Sequence, residues 1–269
     1  MGVLNLTPDS FSDGGQHLDP DRALAAALKM AAQGADLIDL GAQSTRPGAQ
    51  QLGSEAELAR LLPVLQRLGA AKARGAFPHQ APLLSVDTFH APVAAAALGA
   101  GVDWVNDVSG GRADPAMLPL VAESGCPYVL THSRGNSTTM DQQAHYGDVV
   151  AEVIDELQER TSQALAAGVR ASQLIWDPGL GFAKTTAQNL LLMQGLAVLA
   201  AQGFPLLLGP SRKRFIGAVL GEPRPRARLW GTAATVCQAV AAGAAVVRVH
   251  DVAAMVQTCR MADALWPRP

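Results

Sequence analysis

A (β/α)8 barrel is the fold this 269-residue sequence predicts, and three observations predict it. Eight short apolar, β-branched runs recur along the chain, separated by longer amphipathic stretches. The runs are apolar throughout rather than alternating, which is the pattern of parallel strands buried on both faces. Eight strand-then-helix units fill about 270 residues, the usual size of a closed barrel. On pattern alone a doubly wound open sheet is the competing arrangement. It is weakened by the lack of a G-x-G-x-x-G or G-x-x-x-x-G-K-[ST] signature.

The strands are expected at residues 2–6, 37–40, 83–87, 104–106, 128–131, 174–176, 206–208 and 246–249. Asp19 followed by Pro20 suits an N-cap and first helical position; Leu24, Leu28 and Ala31 share one face, and Gly34 stops the helix. Ser54 and Glu57 have capping-box spacing ahead of Leu58, Leu61, Leu62, Leu65 and Leu68, with a kink expected at Pro63. Val149, Val153, Ile154 and Leu157 mark another helix, and residues 190–199 another. No linker, repeat or low-complexity tract interrupts the series, so residues 1–269 are expected to form one barrel domain.

Hydrophobic residues make up 49% of the chain, enough to bury a large core and to exclude general disorder. The formal charge of −2 argues against nucleic-acid or membrane-surface binding, which normally needs a basic excess. No apolar run has the roughly 18 residues of a membrane helix, and the first residues lack the plan of a signal peptide. Cys126, Cys237 and Cys259 lie far apart without zinc-ligand spacing, so free thiols in a reduced, cytoplasmic protein are expected.

Barrel chemistry gathers where strands end. The polar residues there are Asn5, the Gln43–Gly48 run, Asp87, Asn106, His132 with Arg134, Asp177, the Ser211–Arg214 run, Arg248 and His250. A polar residue at one strand end commonly caps a helix; polar residues at all eight point to a shared mouth. No Ser/His/Asp triad, tight metal cluster or glycosidase-like carboxylate pair stands out. Asp87, Asn106 and Asp177 suit a flat, donor-rich heterocycle, since a carboxylate can accept two parallel N–H bonds. Arg46, Lys213, Arg248 and His250 suit phosphate oxygens. The long stretches 7–19 and 41–54 read as lids, Phe11 needing something to cover.

The run Asn5-Leu6-Thr7-Pro8-Asp9-Ser10-Phe11-Ser12-Asp13-Gly14-Gly15 resembles the first signature of dihydropteroate synthases. Gly34 to Gly41 leading into Ser44-Thr45-Arg46-Pro47-Gly48 resembles the second. Ser85-Val86-Asp87-Thr88, Asn106-Asp107-Val108-Ser109-Gly110, Asp177-Pro178-Gly179-Leu180-Gly181-Phe182, Ser211-Arg212-Lys213-Arg214 and Arg248-Val249-His250-Asp251 follow in family order over nearly the whole chain. Each tetrapeptide alone is weak; the ordered series is specific.

The resemblance implies condensation of 6-hydroxymethyl-7,8-dihydropterin pyrophosphate with p-aminobenzoate, giving 7,8-dihydropteroate and pyrophosphate. By motif, Asp87, Asn106, Asp177 and Lys213 hold the pterin. Asn5, Thr45, Arg248 and His250 hold the pyrophosphate, with Asn5 at its Mg²⁺. Phe11, Pro47, Phe182 and Lys213 frame p-aminobenzoate, with Ser211 and Arg212 at its carboxylate end. Asp13, Arg46 and Lys213 are the implied catalytic residues of an SN1-like substitution, Asp13 supporting the loop or the developing cation. A neutral aniline attacking a delocalised cation needs no strong base, which fits the absence of one. A homodimer through the late helices, using residues 233–242 and the C-terminal helix, is also implied.

Two readings compete with turnover by a synthase: a pterin methyltransferase domain on the same barrel, which has no use for pyrophosphate groups, and a non-catalytic pterin binder. Thr131-His132-Ser133 stands where the family has Met-His-Met or similar, so a more polar, looser wall is expected there. Met1 stands almost directly on the first motif, so a short first strand and a less covered barrel floor are expected. Asp36 and Asp39 are expected to position loops or cap structure, and Asp107 and Asp251 to act from behind the site. His132 is left open between pocket lining and core; His17, His79, His90 and His145 are expected at the surface. Trp104, Trp176, Trp230 and Trp266 are expected in core or interface packing.

Overall fold

The computed structural model describes residues 1–7, 19–43 and 52–267. Six strands form one parallel sheet in sequence order: β1 (Gly2–Asn5), β2 (Leu37–Gly41), β3 (Leu83–Asp87), β4 (Trp104–Asp107), β5 (Tyr128–Thr131) and β6 (Leu174–Asp177). The short β7 (Leu207–Leu208) and β8 (Val246–Val247) pair with each other. Single bridges, Trp176 to Leu206 and Gly2 to Val249, join that pair to β6 and β1 and close the barrel. The closing hydrogen bonds run from Trp176 N to Pro205 O (2.9 Å) and from Val3 N to Val249 O (3.0 Å). The α-amino group of Met1 donates to Val247 O at 3.0 Å, so the start of β1 is pinned to β8.

The connecting helices are α1 (Pro20–Ala32), α2 (Ser54–Ala73), α3 (Ala91–Gly99), α4 (Met117–Ser124), α5 (Val149–Ala166), α6 (Thr186–Gln194), α7 (Leu196–Ala200), α8 (Arg214–Leu220), α9 (Leu229–Ala241) and α10 (Val252–Leu265). Asp19 caps α1 as its sequence suggests, its carboxylate accepting from Asp21 N. The expected capping box at Ser54 does not form. Gly53 is the N-cap of α2 and has no side chain, and Glu57 is drawn into the core, where it accepts from Gln43 Nε2 at 2.8 Å. The capping box appears instead at α6, where Thr185 and Gln188 bond reciprocally. Helix α2 runs through Pro63 as one element.

Beside a satellite cluster of Val236, Val240, Val249, Met255 and Ala262 around α9 and α10, two apolar layers result. The larger lies between strands and helices and includes Leu40, Leu65, Val86, Leu130, Leu157 and Trp176. The smaller fills the barrel itself: Val129, Ile175 and Leu207, with Met1, Trp104 and Val246 packed against them. Strand register makes this inner layer readable. Val129 pairs with Ile175 and Thr131 with Asp177, so the residues pointing inward two steps further along arrive at the C-terminal mouth. The tryptophans divide: Trp176 is fully buried, stacking on Phe204, whereas Trp230 is 79% exposed and lies outside the core of this chain.

Candidate active site

Strands β3, β4 and β6 deliver Asp87, Asn106 and Asp177 to one pocket, and the segments after β7 and β8 add Lys213 and Arg248. Asp87, Asn106, Asp177, Lys213 and Arg248 line it, with Val108, Leu180, Phe182 and Gly209 as its apolar parts. Asp87 and Asn106 are register partners on β3 and β4. Gly41 is the register partner of Asp87 on β2, and a Cβ there would make ordinary contact with the Cβ of Asp87 at 3.4 Å.

A network of hydrogen bonds holds one wall. Arg248 donates from Nε to Asp39 Oδ2 (2.6 Å) and from Nη2 to Asp87 Oδ2 (2.7 Å). Asn106 Nδ2 donates to Asp39 Oδ2 (3.1 Å), and Ser85 Oγ to Asp39 Oδ1 (2.6 Å). Asp39 is therefore a fully buried anchor beneath the pocket, not a loop or capping residue. The sequence signal for it was its position: the middle of an apolar strand, where a carboxylate needs a partner. Burial pushes Asp87 up to about 7, against the pull of Arg248, because Asp39 lies close and two carboxylates share one guanidinium. Despite its own burial, Arg248 is driven further toward its charged form by Asp39 and Asp87.

On the opposite wall, burial raises the pKa of Asp177, while Gly179 N donates to its Oδ1 at 2.8 Å and Lys213 favours the ionised form. Burial lowers Lys213 to about 8, with Asp177 opposing the shift. Its ammonium sits 4.3 Å from the centroid of the Phe182 ring, a cation–π contact at the pocket rim. Gly179 has φ +70°, and a Cβ there would fall 1.8 Å from His132 O, so only glycine fits the turn.

Asn5 ends β1 and His250 follows the adjacent β8; neither lines the pocket. His250 shares a hydrogen bond between its Nδ1 and Ser211 Oγ (3.0 Å), and burial with Arg212 and Arg248 nearby lowers it to about 3. Arg212 is turned to Asp251 in a two-point ion pair and stands at φ 62°, unusual for a side-chain-bearing residue. Its backbone is held by Thr232 Oγ1 on its N–H and by the buried Arg228 on its carbonyl. Asp251 thus acts through Arg212. Asp107 acts through the turn after β4, accepting from Ser109 N, Gly111 N and the Tyr128 hydroxyl. Phe11, Asp13, Thr45, Arg46 and Pro47, and His17, lie outside the described residues.

Two expectations change, and the alternative left open for His132 is decided. The Thr131–Ser133 wall is tied rather than loose: Ser133 Oγ donates to Val108 O at 2.8 Å, and Arg112 Nη2 donates to both the hydroxyl and the carbonyl of Ser133. Neither Thr131 nor Ser133 lines the pocket, although Thr131 Oγ1 is buried without a partner among the described residues. His132 is a core histidine, 1% exposed, and burial lowers it to about 4. His90 is half-buried rather than at the surface, its Nε2 lying 3.1 Å from Leu52 O. Lys184, buried beside His132, was not singled out by the sequence; its only signal was its place two residues after the Asp177–Phe182 motif.

A closed barrel whose mouth gathers two carboxylates, an amide and two cations defines the class: residues 1–250 match the pterin binding enzyme family, and the chain belongs to it. It is 47% identical over 99% of its length to the dihydropteroate synthase of Synechocystis, covering 89% of that protein. It is 48% identical to the dihydropteroate synthase of Mycobacterium leprae, covering 98% of this chain and 92% of the relative. Among solved structures, the Xanthomonas albilineans dihydropteroate synthase in complex with 7,8-dihydropteroate is similar with a TM-score of 0.86 and 41% identity, over 100% of this chain and 94% of that one. No helix among the described residues is long and apolar enough to cross a membrane.

Proposed function

We propose that this chain is a dihydropteroate synthase, joining 6-hydroxymethyl-7,8-dihydropterin pyrophosphate to p-aminobenzoate. The observation that carries the reading is the gathering of Asp87, Asn106 and Asp177 with Lys213 and Arg248 around one pocket. The carboxylates and amide accept and donate along the amino-pyrimidinone edge of the pterin. Lys213 and Phe182 face the next reactant, and Asn5, Arg248 and His250 turn the β8–β1 side toward the pyrophosphate. The C–O bond at the pterin methylene breaks, its electron pair leaving with pyrophosphate; the amine lone pair forms the C–N bond, and the amine proton departs. Carboxylates around the pterin stabilise the cation, and cations around the leaving group stabilise the anion.

Among the described residues no three His, Cys, Asp or Glu side chains gather into a metal cage. A Mg²⁺ held mainly by substrate phosphates with one protein oxygen fits so sparse a donor set, and Asn5 would hold it. When bound it neutralises charge on the departing pyrophosphate. A homodimer is supported by apolar side chains left exposed on the late helices: Val219 and Leu220 on α8, Trp230 on α9, and Met261 and Leu265 on α10. Three unpaired cysteines suit a reducing compartment such as the cytoplasm.

The test is pyrophosphate release from the purified chain with the pterin pyrophosphate, p-aminobenzoate and Mg²⁺. Release should require p-aminobenzoate and fall at least about a hundredfold in Lys213→Ala. Pterin binding without release would leave a non-catalytic binder.

A further inference from the structure

Outside the pocket lining, behind it, lies the buried ammonium of Lys184. Lys184 Nζ reaches three acceptors: Gly179 O (3.1 Å), Phe182 O (3.1 Å) and His132 Nδ1 (2.9 Å). Two of them are carbonyls of the turn that follows Asp177, and the turn is conformationally demanding: Gly179, Gly181 and Ala183 have φ of +70°, +77° and +48°. Ala183 carries a Cβ, so its left-handed backbone is unfavourable unless something offsets it. The same turn supplies the N–H that fixes Asp177 and the ring that lies under Lys213. The third acceptor reaches outward. A lysine ammonium can only donate, so His132 Nδ1 must accept and its proton sits on Nε2, which has Glu156 Oε2 3.1 Å away but no aligned hydrogen bond among the described residues. Glu156 in turn pairs with Arg134, which stacks 3.8 Å over the Tyr146 ring.

We propose that Lys184 is a positioning residue of the pterin site: its charge clamps the Gly179–Phe182 turn from behind and so sets the geometry of Asp177 and Phe182. The proposal rests on the reading of the pocket as a pterin site. An uncharged filler of the same shape would hold the space but not draw in both carbonyls and the imidazole. The charged groups facing Lys184 are Asp177 on β6, Glu156 on α5, Arg134 after β5 and Lys213 after β7. Burial outweighs the two acids and lowers Lys184 to about 7. The clamp is therefore complete below that pH and is lost as pH rises through it.

The experiment compares wild type with Lys184→Met, titrating 6-hydroxymethyl-7,8-dihydropterin pyrophosphate by calorimetry across the pH range. The variant should bind about tenfold more weakly near pH 6, and the ratio should shrink toward about twofold near pH 9, where wild type has lost the same charge. Asp87 is not among the groups facing Lys184, so its titration cancels in this ratio. A ratio of one throughout, or a weakening independent of pH, overturns the clamp and leaves Lys184 a packing residue. Should Lys184→Met not fold, Glu156→Gln replaces it. That side chain is 26% exposed, and its loss should lower the lysine further, so weakening sets in at lower pH than in wild type. An unmoved profile overturns the proposal. Absence of any binding by wild type overturns the pocket reading itself.

Discussion

The two halves of the barrel interior solve the same packing problem differently. On β2, β3 and β4 the inward positions hold Asp39, Ser85, Asp87 and Asn106, knitted to Arg248. On β5, β6 and β7 they hold Val129, Ile175 and Leu207, and polarity begins only at the mouth with Asp177. The apolar half supplies burial energy with no desolvation cost. The polar half is tolerable only because one guanidinium answers two carboxylates. Its value is a pair of acceptors pre-aimed at a ligand before one arrives. The molecule thus concentrates electrostatic risk on one wall and sets the other as its stable reference.

The largest expected effect breaks the polar half. Arg248→Met leaves Asp39 and Asp87 facing each other, and should cost roughly 3 kcal/mol in urea unfolding. This is the low end for a broken buried pair, since Arg248 keeps 21% exposure. Turnover should also collapse. A loss under about 1 kcal/mol would mean that water already screens the wall.

The matching cut on the apolar side, Ile175→Ala, should cost about 2–3 kcal/mol by leaving a cavity in the barrel layer. Pterin affinity should change far less than in Arg248→Met. Equal affinity losses in the two variants would show that the halves are not functionally distinct.

The pH dependence of ligand affinity sharpens the comparison further. Burial raises Asp87 to about 7, and the pterin contact proposed above needs its ionised form. Below that pH the carboxylate is protonated, so affinity should fall by up to about tenfold per pH unit and level off above it. Asp87→Asn should weaken binding at neutral pH and flatten this limb; an unchanged limb would assign the titration to another group.

The smallest effect concerns Ser85→Ala, which removes one neutral donor from Asp39 (2.6 Å) and should destabilise by about 1 kcal/mol. Double-mutant cycles with Arg248→Met would read the coupling through Asp39.

Much of the frame was legible because strand and helix periods write themselves into apolar spacing. The motif residues that line the pocket were legible because they stand at strand ends. Asp39 was misjudged because a mid-strand carboxylate is explained only by a partner 209 positions away. Lys184 was overlooked for the same reason, its acceptor on His132 lying 52 residues earlier. Glu57 carried a local capping pattern that lost to a buried bond with Gln43.

By itself the sequence determined the order of eight strands, the helices between them and the polar residues at the mouth, since these follow from local periodicity and strand ends. Only the tertiary structure decided which carboxylates share Arg248, why the Thr131–Ser133 wall is tied, and that a buried lysine grips the turn behind Asp177. Those outcomes depend on charges and donors meeting across the closed barrel, where the low-dielectric interior makes each partner's presence or absence worth far more than any local preference.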